Sequence, residues 1–176
     1  MAVIIKNRQV ETNQWQLLRP GADKTLPAVP AGGDIIVSTA QWLAQKESLL
    51  ARQGRLGVWL ANTEDPATIA GELKHFALVA VDFPHFTDGR GSSIGRLLRE
   101  RYGWGGELRA IGDVIRDVIF YLSRCGFDAF DLKAGEDAQA ALSAFGDFSE
   151  AYQISVERPQ PLFRRRSAAA PAGLAK

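Results

Sequence analysis

Short runs of β-branched and other apolar residues alternate with amphipathic stretches along most of the chain, and this alternation narrows the fold more than any other feature. The runs are "DIIVS", "RLGVWLA", "ALVAV", "ELRAI", "FDAFDL" and "AYQISV", starting near residues 34, 55, 77, 107, 127 and 151. Steps of roughly 20–30 residues suit one strand plus one crossover helix. Parallel strands need such a crossover, so the pattern predicts an α/β fold with a largely parallel sheet and helices packed on it. About six steps fall short of a closed eight-fold barrel. An open sheet is expected, with a partial barrel as the alternative.

Helix signals punctuate the pattern. Ser38 opens a helix, and Gln41 three residues later completes a capping box. Trp42, Leu43, Leu49 and Leu50 are assigned to its apolar face and Gly54 to its stop. Asp65-Pro66 supplies a cap and a first-turn proline for the next helix. Asp113 is placed to cap "VIRDVIFYLSRC", with Gly126 as the stop. Ahead of the repeat, residues 3–6 and 15–18 read as strands of a small N-terminal β unit within residues 1–20. The Gly- and Pro-rich "RPGADKTLPAVPAGGD" links it to a single α/β domain at residues 34–157. Residues 158–176, basic and aperiodic, are expected to be a disordered tail.

Composition removes several function classes. The 21 Lys+Arg balance 20 Asp+Glu to a net charge of +1, so nothing global draws the protein to nucleic acid or an anionic membrane. Electrostatic function must be local. Cys125 is the single cysteine, which excludes an intrachain disulfide and an iron–sulfur cluster held by one chain. It is expected to be a buried small hydrophobe. His75 and His85 are the only histidines, too few for a structural zinc site. The N-terminus lacks a signal-peptide pattern, and the longest apolar runs fall far short of the roughly 20 residues of a membrane helix. A reducing cytoplasm is the expected compartment.

In parallel α/β sheets, ligands bind beyond the carboxyl ends of the strands. That rule selects Asn62, residues 82–93, Gly112-Asp113 and residues 133–136. The longest of these connections, "DFPHFTDGRGSS", holds an arginine between glycines and two serines before an amphipathic helix. Gly89 and Gly91 allow the backbone unusual φ values and leave room for a ligand to approach, while Ser92 and Ser93 can cap the helix. Arg90 adds a forked donor for an oxyanion. Asp88, Gly89, Arg90, Gly91, Ser92 and Ser93 are therefore the candidate anion-binding residues, with Asp82, Glu107 and Arg109 in support. His85 and Asp113 are the candidates for proton transfer. Arg96 and Arg99, on the following helix, are candidates for a partner-docking face. Neither a Walker loop nor a dinucleotide fingerprint is present.

Residues 82–132 carry four motifs in order: F-P-x-F-x-D-G-R-G-x-S, L-L-R-x-R, G-E-L-R-A-x-G-D and R-C-G-F. In these the chain resembles a bacterial family known as domain of unknown function 934. The resemblance departs at Arg116-Asp117-Val118, where many relatives carry Asp-Gln after the arginine. Family members are usually described as oxidoreductases involved in sulfite reduction, so the resemblance implies a role in sulfur assimilation toward cysteine. Three readings follow from it. The first is an accessory protein of assimilatory sulfite reduction, partnered with the sulfite reductase hemoprotein and binding a small oxyanion, with no cofactor of its own evident. The second is an oxidoreductase using a bound flavin or nucleotide. The third is a protein–protein binding module without a small ligand.

Overall fold

The computed structural model describes residues 2–21 and 23–169, with side chains as far as Arg166. Eight strands form one sheet: β1 (Val3–Lys6), β2 (Gln9–Thr12), β3 (Gln16–Leu17), β4 (Ile35–Ser38), β5 (Leu56–Ala61), β6 (Leu78–Phe83), β7 (Glu107–Gly112) and β8 (Ala129–Phe130). Their spatial order is β2-β1-β8-β7-β6-β5-β4-β3. The pairs from β3 to β8 are parallel, and the β1–β2 hairpin adds to β8 antiparallel.

The sheet is open but strongly curled, and chain geometry dictates the curl. A flat eight-stranded sheet would hold its edges about 34 Å apart at the usual strand spacing. Here the edge strands β2 and β3 are consecutive, joined by Asn13, Gln14 and Trp15. That link spans at most about 14 Å, so the edges must swing toward each other.

Helices α1 (Thr39–Ala51), α2 (Ala67–Ala70), α3 (Arg90–Glu100), α4 (Ile119–Arg124) and α5 (Ala138–Ala141) lie in the crossovers or follow β8. Successive parallel strands are spatial neighbours, so right-handed crossovers place the helices on one, outer, face. Strand alternation then divides the apolar residues in two. Ile35, Val37, Val58, Val79, Val81 and Phe130 join Trp42, Ile94, Leu98 and Leu122 in the main core. Ile36, Trp59, Leu78, Ala80 and Ile111 form a smaller cluster on the inner face, closed by Trp15 and Leu17.

Ser38 accepts from the Gln41 amide, as the sequence predicts. The side chain of Gln41 turns instead to the Pro27 carbonyl. Trp42 and Leu49, seven residues apart, are buried, whereas Leu43 and Leu50 lie about 100° further round and are exposed. Asp113 does not cap a helix; that segment starts as a 3-10 turn at Arg116–Val118 and continues as α4 without a side-chain cap. Cys125 is buried, which pushes its thiol pKa up. The N-terminal strands are not a separate unit, since they supply both edges of the main sheet. Residues 151–156 form no strand, because β1 occupies the free edge of β8. Where the tail was expected to lack order, α6 (Leu162–Ala169) is helical and Arg165 pairs with Glu150 at 2.7 Å; residues 170–176 lie outside the described residues.

Candidate functional site

The loop from β6 to α3 follows Phe83, the last residue of β6, whose ring turns into the outer core. Neither Gly89 nor Gly91 uses the positive φ that glycine allows. Gly91 is needed for space: a Cβ there would lie 2.6 Å from Phe83 Cε1. One turn later, a Cβ on Gly95 would lie 2.3 Å from Phe127 Cε2. These two glycines let α3 sit directly on two rings that meet edge to face at 5.8 Å.

The helix starts at Arg90, ahead of both serines, so neither caps it. Ser92 is buried and donates its hydroxyl to the Gly89 carbonyl; Ser93 is exposed. Asp88 is the polar centre of the loop. It accepts from the Arg90 amide at 3.1 Å, from Arg90 Nε at 3.0 Å and Nη2 at 2.6 Å, and from Asn62 Nδ2 at 2.6 Å. The Arg90 hydrogen bonds hold its carboxyl well below the ordinary range, at about 2. Arg90, expected to face an anion, is thus already forked onto a carboxylate.

The next loop joins this one through Gly112-Asp113. Gly112 has φ +99°, and a Cβ would meet the Phe83 carbonyl oxygen at 2.4 Å, so the position needs glycine twice over. The turn lets the Asp113 amide donate to that carbonyl at 2.7 Å. The Asp113 carboxylate accepts from the Phe86 amide at 3.1 Å and pairs with Lys133 at 2.7 Å. Lys133, more than the Phe86 amide, pulls the Asp113 pKa down. Asp113 is a brace between loops. His85 is exposed and does not line the cleft described next.

Together the two loops and α4 bound a cleft of about 220 Å³. Phe83, Phe86, Val114, Tyr121 and Leu122 form apolar walls, and Asp88, Gly89, Ser92 and Asp113 supply the polar lining. The rim rule therefore selected residues that do converge: Asp88 and Asp113 both line the cleft, Asn62 holding the first and Lys133 the second from outside it. Tyr121 was missed, because its role depends on where α4 docks.

The three supporting residues lie elsewhere, on the inner face. Arg109 is 1% exposed and its guanidinium grips Glu107, with Nε at 2.8 Å; Glu107 also pairs with Lys6 at 2.9 Å. Asn13, in the link between the sheet edges, accepts from Arg109 at 3.1 Å. Asp82 takes a forked pair from Arg19 at 2.6 and 3.2 Å. Asp131 continues this inner row beyond β8, and its carboxylate has no hydrogen bond among the described residues. Burial raises its pKa, against the pull of Arg109 and Arg19. Arg19 and Asp131 were not singled out in the sequence. Arg99 is not free to dock a partner: it bonds the carbonyls of Gly126, Trp104 and Gly106 and pairs with Asp128 at 2.7 Å. Among the described residues no helix is long and apolar enough to cross a membrane.

The comparisons with known proteins agree with the motif reading. The family described as "Bacterial protein of unknown function (DUF934)" matches residues 57–163, from β5 past the cleft to the start of α6. No curated protein and no solved structure matches the chain. More than half of the sequence fits one family in one continuous stretch, and the chain belongs to the DUF934 family.

Proposed function

We propose that the protein is an accessory component of assimilatory sulfite reduction that acts through the cleft between the β6–α3 loop, the β7–α4 loop and α4. The observation that carries this reading is convergence. Residues of two separate motifs, Phe83, Asp88 and Gly89 of one and Asp113 of the other, more than 20 positions on, line one cleft beyond the carboxyl ends of the parallel strands. Sites of α/β sheets form at that end.

The chemistry of the cleft favours a partner group over a bare oxyanion. Its walls are apolar, and its polar groups include two carboxylates held in the charged form by Arg90 and Lys133. An anion entering at Arg90 would have to displace Asp88 from a forked, charge-assisted pair. An apolar or aromatic side chain carrying a hydrogen-bond donor fills the walls and meets a carboxylate. Phe86, half exposed at the mouth, adds contact area.

The test is a pull-down of the tagged chain from cells grown on sulfate as sole sulfur source, read by mass spectrometry. Stoichiometric recovery of the sulfite reductase hemoprotein, lost in Phe86→Ala, is the expected result. Recovery of the chain alone would refute the partnership. A flavin absorbance band in the purified protein would transfer weight to the oxidoreductase reading.

A further inference from the structure

A second groove lies away from the cleft, between the β1–β2 hairpin tip, α4 and the irregular segment 148–158. It has two lobes of about 70 and 260 Å³ that share Arg8, Ser123, Phe145 and Glu157. Arg8, Arg124 and Arg158 line the smaller lobe with Phe120 and Phe148, and Glu157 is its one carboxylate. Phe127, Phe130 and Phe145 line the larger lobe, with Asp128 and Glu157 at its edge.

The arginines here are less engaged than several others in the molecule. Arg19, Arg55, Arg90 and Arg116 each fork onto a carboxylate. In the groove, Arg8 reaches Glu157 only at 3.5 Å, and Arg124 uses one nitrogen on the Gln153 carbonyl. Arg158 bonds through Nη1 alone, to the Ser149 carbonyl and to Glu150. Most of their donors are left without a protein acceptor. Two of them also lie over rings, Arg8 at 5.3 Å from Phe145 and Arg124 at 6.0 Å from Phe120.

Arg8 sits where the backbone disfavours it. The hairpin turns through Asn7 and Arg8 at φ +49° and +63°, the two left-handed positions of a type I′ turn. Asn-Gly is the usual pair there, because a side chain at the second position is strained. An arginine held in that conformation, over a ring and lining one lobe with Arg124 and Arg158, points to a ligand.

We propose that this groove binds a mononucleotide. The phosphate occupies the smaller lobe between Arg8, Arg124 and Arg158, where forked guanidinium donors match its oxygens. The base lies against Phe145, the partly exposed ring of the larger lobe, and turns its exocyclic amine toward Glu157. The site is separate from the cleft, and its fate does not decide the reading given for the cleft.

The test is titration calorimetry of the full chain with adenosine monophosphate, adenosine and inorganic phosphate. Saturable binding of the nucleotide, tighter than either fragment, is expected. Arg8→Gly and Arg158→Gln should each weaken it at least about tenfold, the value of one charge-assisted hydrogen bond. Arg8→Gly is the sharper variant, since glycine suits the turn and the fold should be no less heat-stable. No saturation by about 10 mM nucleotide, ten times a 1 mM dissociation constant, overturns the proposal. So does binding that survives both substitutions. Adenosine binding as tightly as the nucleotide would overturn the phosphate assignment, and phosphate doing so would overturn the base assignment.

Discussion

Gly95→Ala tests the packing that sets the position of α3 and hence one side of the cleft. On helix propensity alone the change should stabilise the protein by about 1 kcal/mol. The structure predicts the opposite. The new Cβ would fall 2.3 Å from Phe127 Cε2 and 2.7 Å from its Cζ, more than 1 Å inside ordinary carbon–carbon contact. Phe127 is 2% exposed and its ring meets Phe83 at 5.8 Å, so it retreats only by giving up that packing. Overpacking of this kind costs about 1–3 kcal/mol, and a contact this close with a fixed ring belongs at the top of that range. The net expectation is a loss of about 2 kcal/mol, or about 4–8 °C in Tm for a chain of this size. Urea denaturation and calorimetry both read it. A double-mutant cycle identifies the cause: in a Phe127→Leu background the alanine should cost at least about 1 kcal/mol less. A neutral or stabilising Gly95→Ala, or additivity within about 0.5 kcal/mol, would refute the seat assigned to Phe127.

Two further outcomes concern the inner face. Arg109→Ala should cost about 3–5 kcal/mol, because it leaves Glu107 buried with only Lys6 as counter-charge; a loss below about 1 kcal/mol in urea would mean that Lys6 alone satisfies it. Asp131 has a raised pKa in the folded state, so its contribution is fully present below the ordinary carboxyl pKa and is lost as pH rises through the folded value. Asp131→Asn should therefore raise Tm at pH 7, with the gain shrinking on acidification; a lower Tm at pH 7 would show that Asp131 acts as an anion paired with Arg19 or Arg109.

What the sequence made legible follows from how local each cause is. Strands β4 to β7 announce themselves through β-branched runs and the glycines and capping residues around them. The rim rule found Asn62, Asp88, Asp113 and Lys133 because the carboxyl ends of parallel strands converge whatever the side chains are. The reason for Gly91 and Gly95 was hidden, since it lies in the rings of Phe83 and Phe127, one from a strand and one from the turn that follows α4. The same distance misled the reading of residues 151–156: their composition suits a strand, but β1, far away in sequence, already fills the edge they would need. Arg90 was misjudged for a shorter-range reason. An aspartate two residues before an arginine can close on it, and here it does.

The arrangement of the edge strands also sets an order of events in folding. Strands β4 to β7 pair with their sequence neighbours in turn, each closing a loop of modest length. The β1–β2 hairpin can form by itself within microseconds, but Ile5 must wait for Phe130 before it has a place in the sheet. Until then the hairpin and the unfinished end of the sheet both expose strand edges, the condition under which partly folded chains associate with one another. Such high sequence separation raises contact order and slows the final step. The hairpin, synthesised before the strand it pairs with, is the last to join, and a factor that shields residues 3–12 during synthesis would act where this chain is most vulnerable.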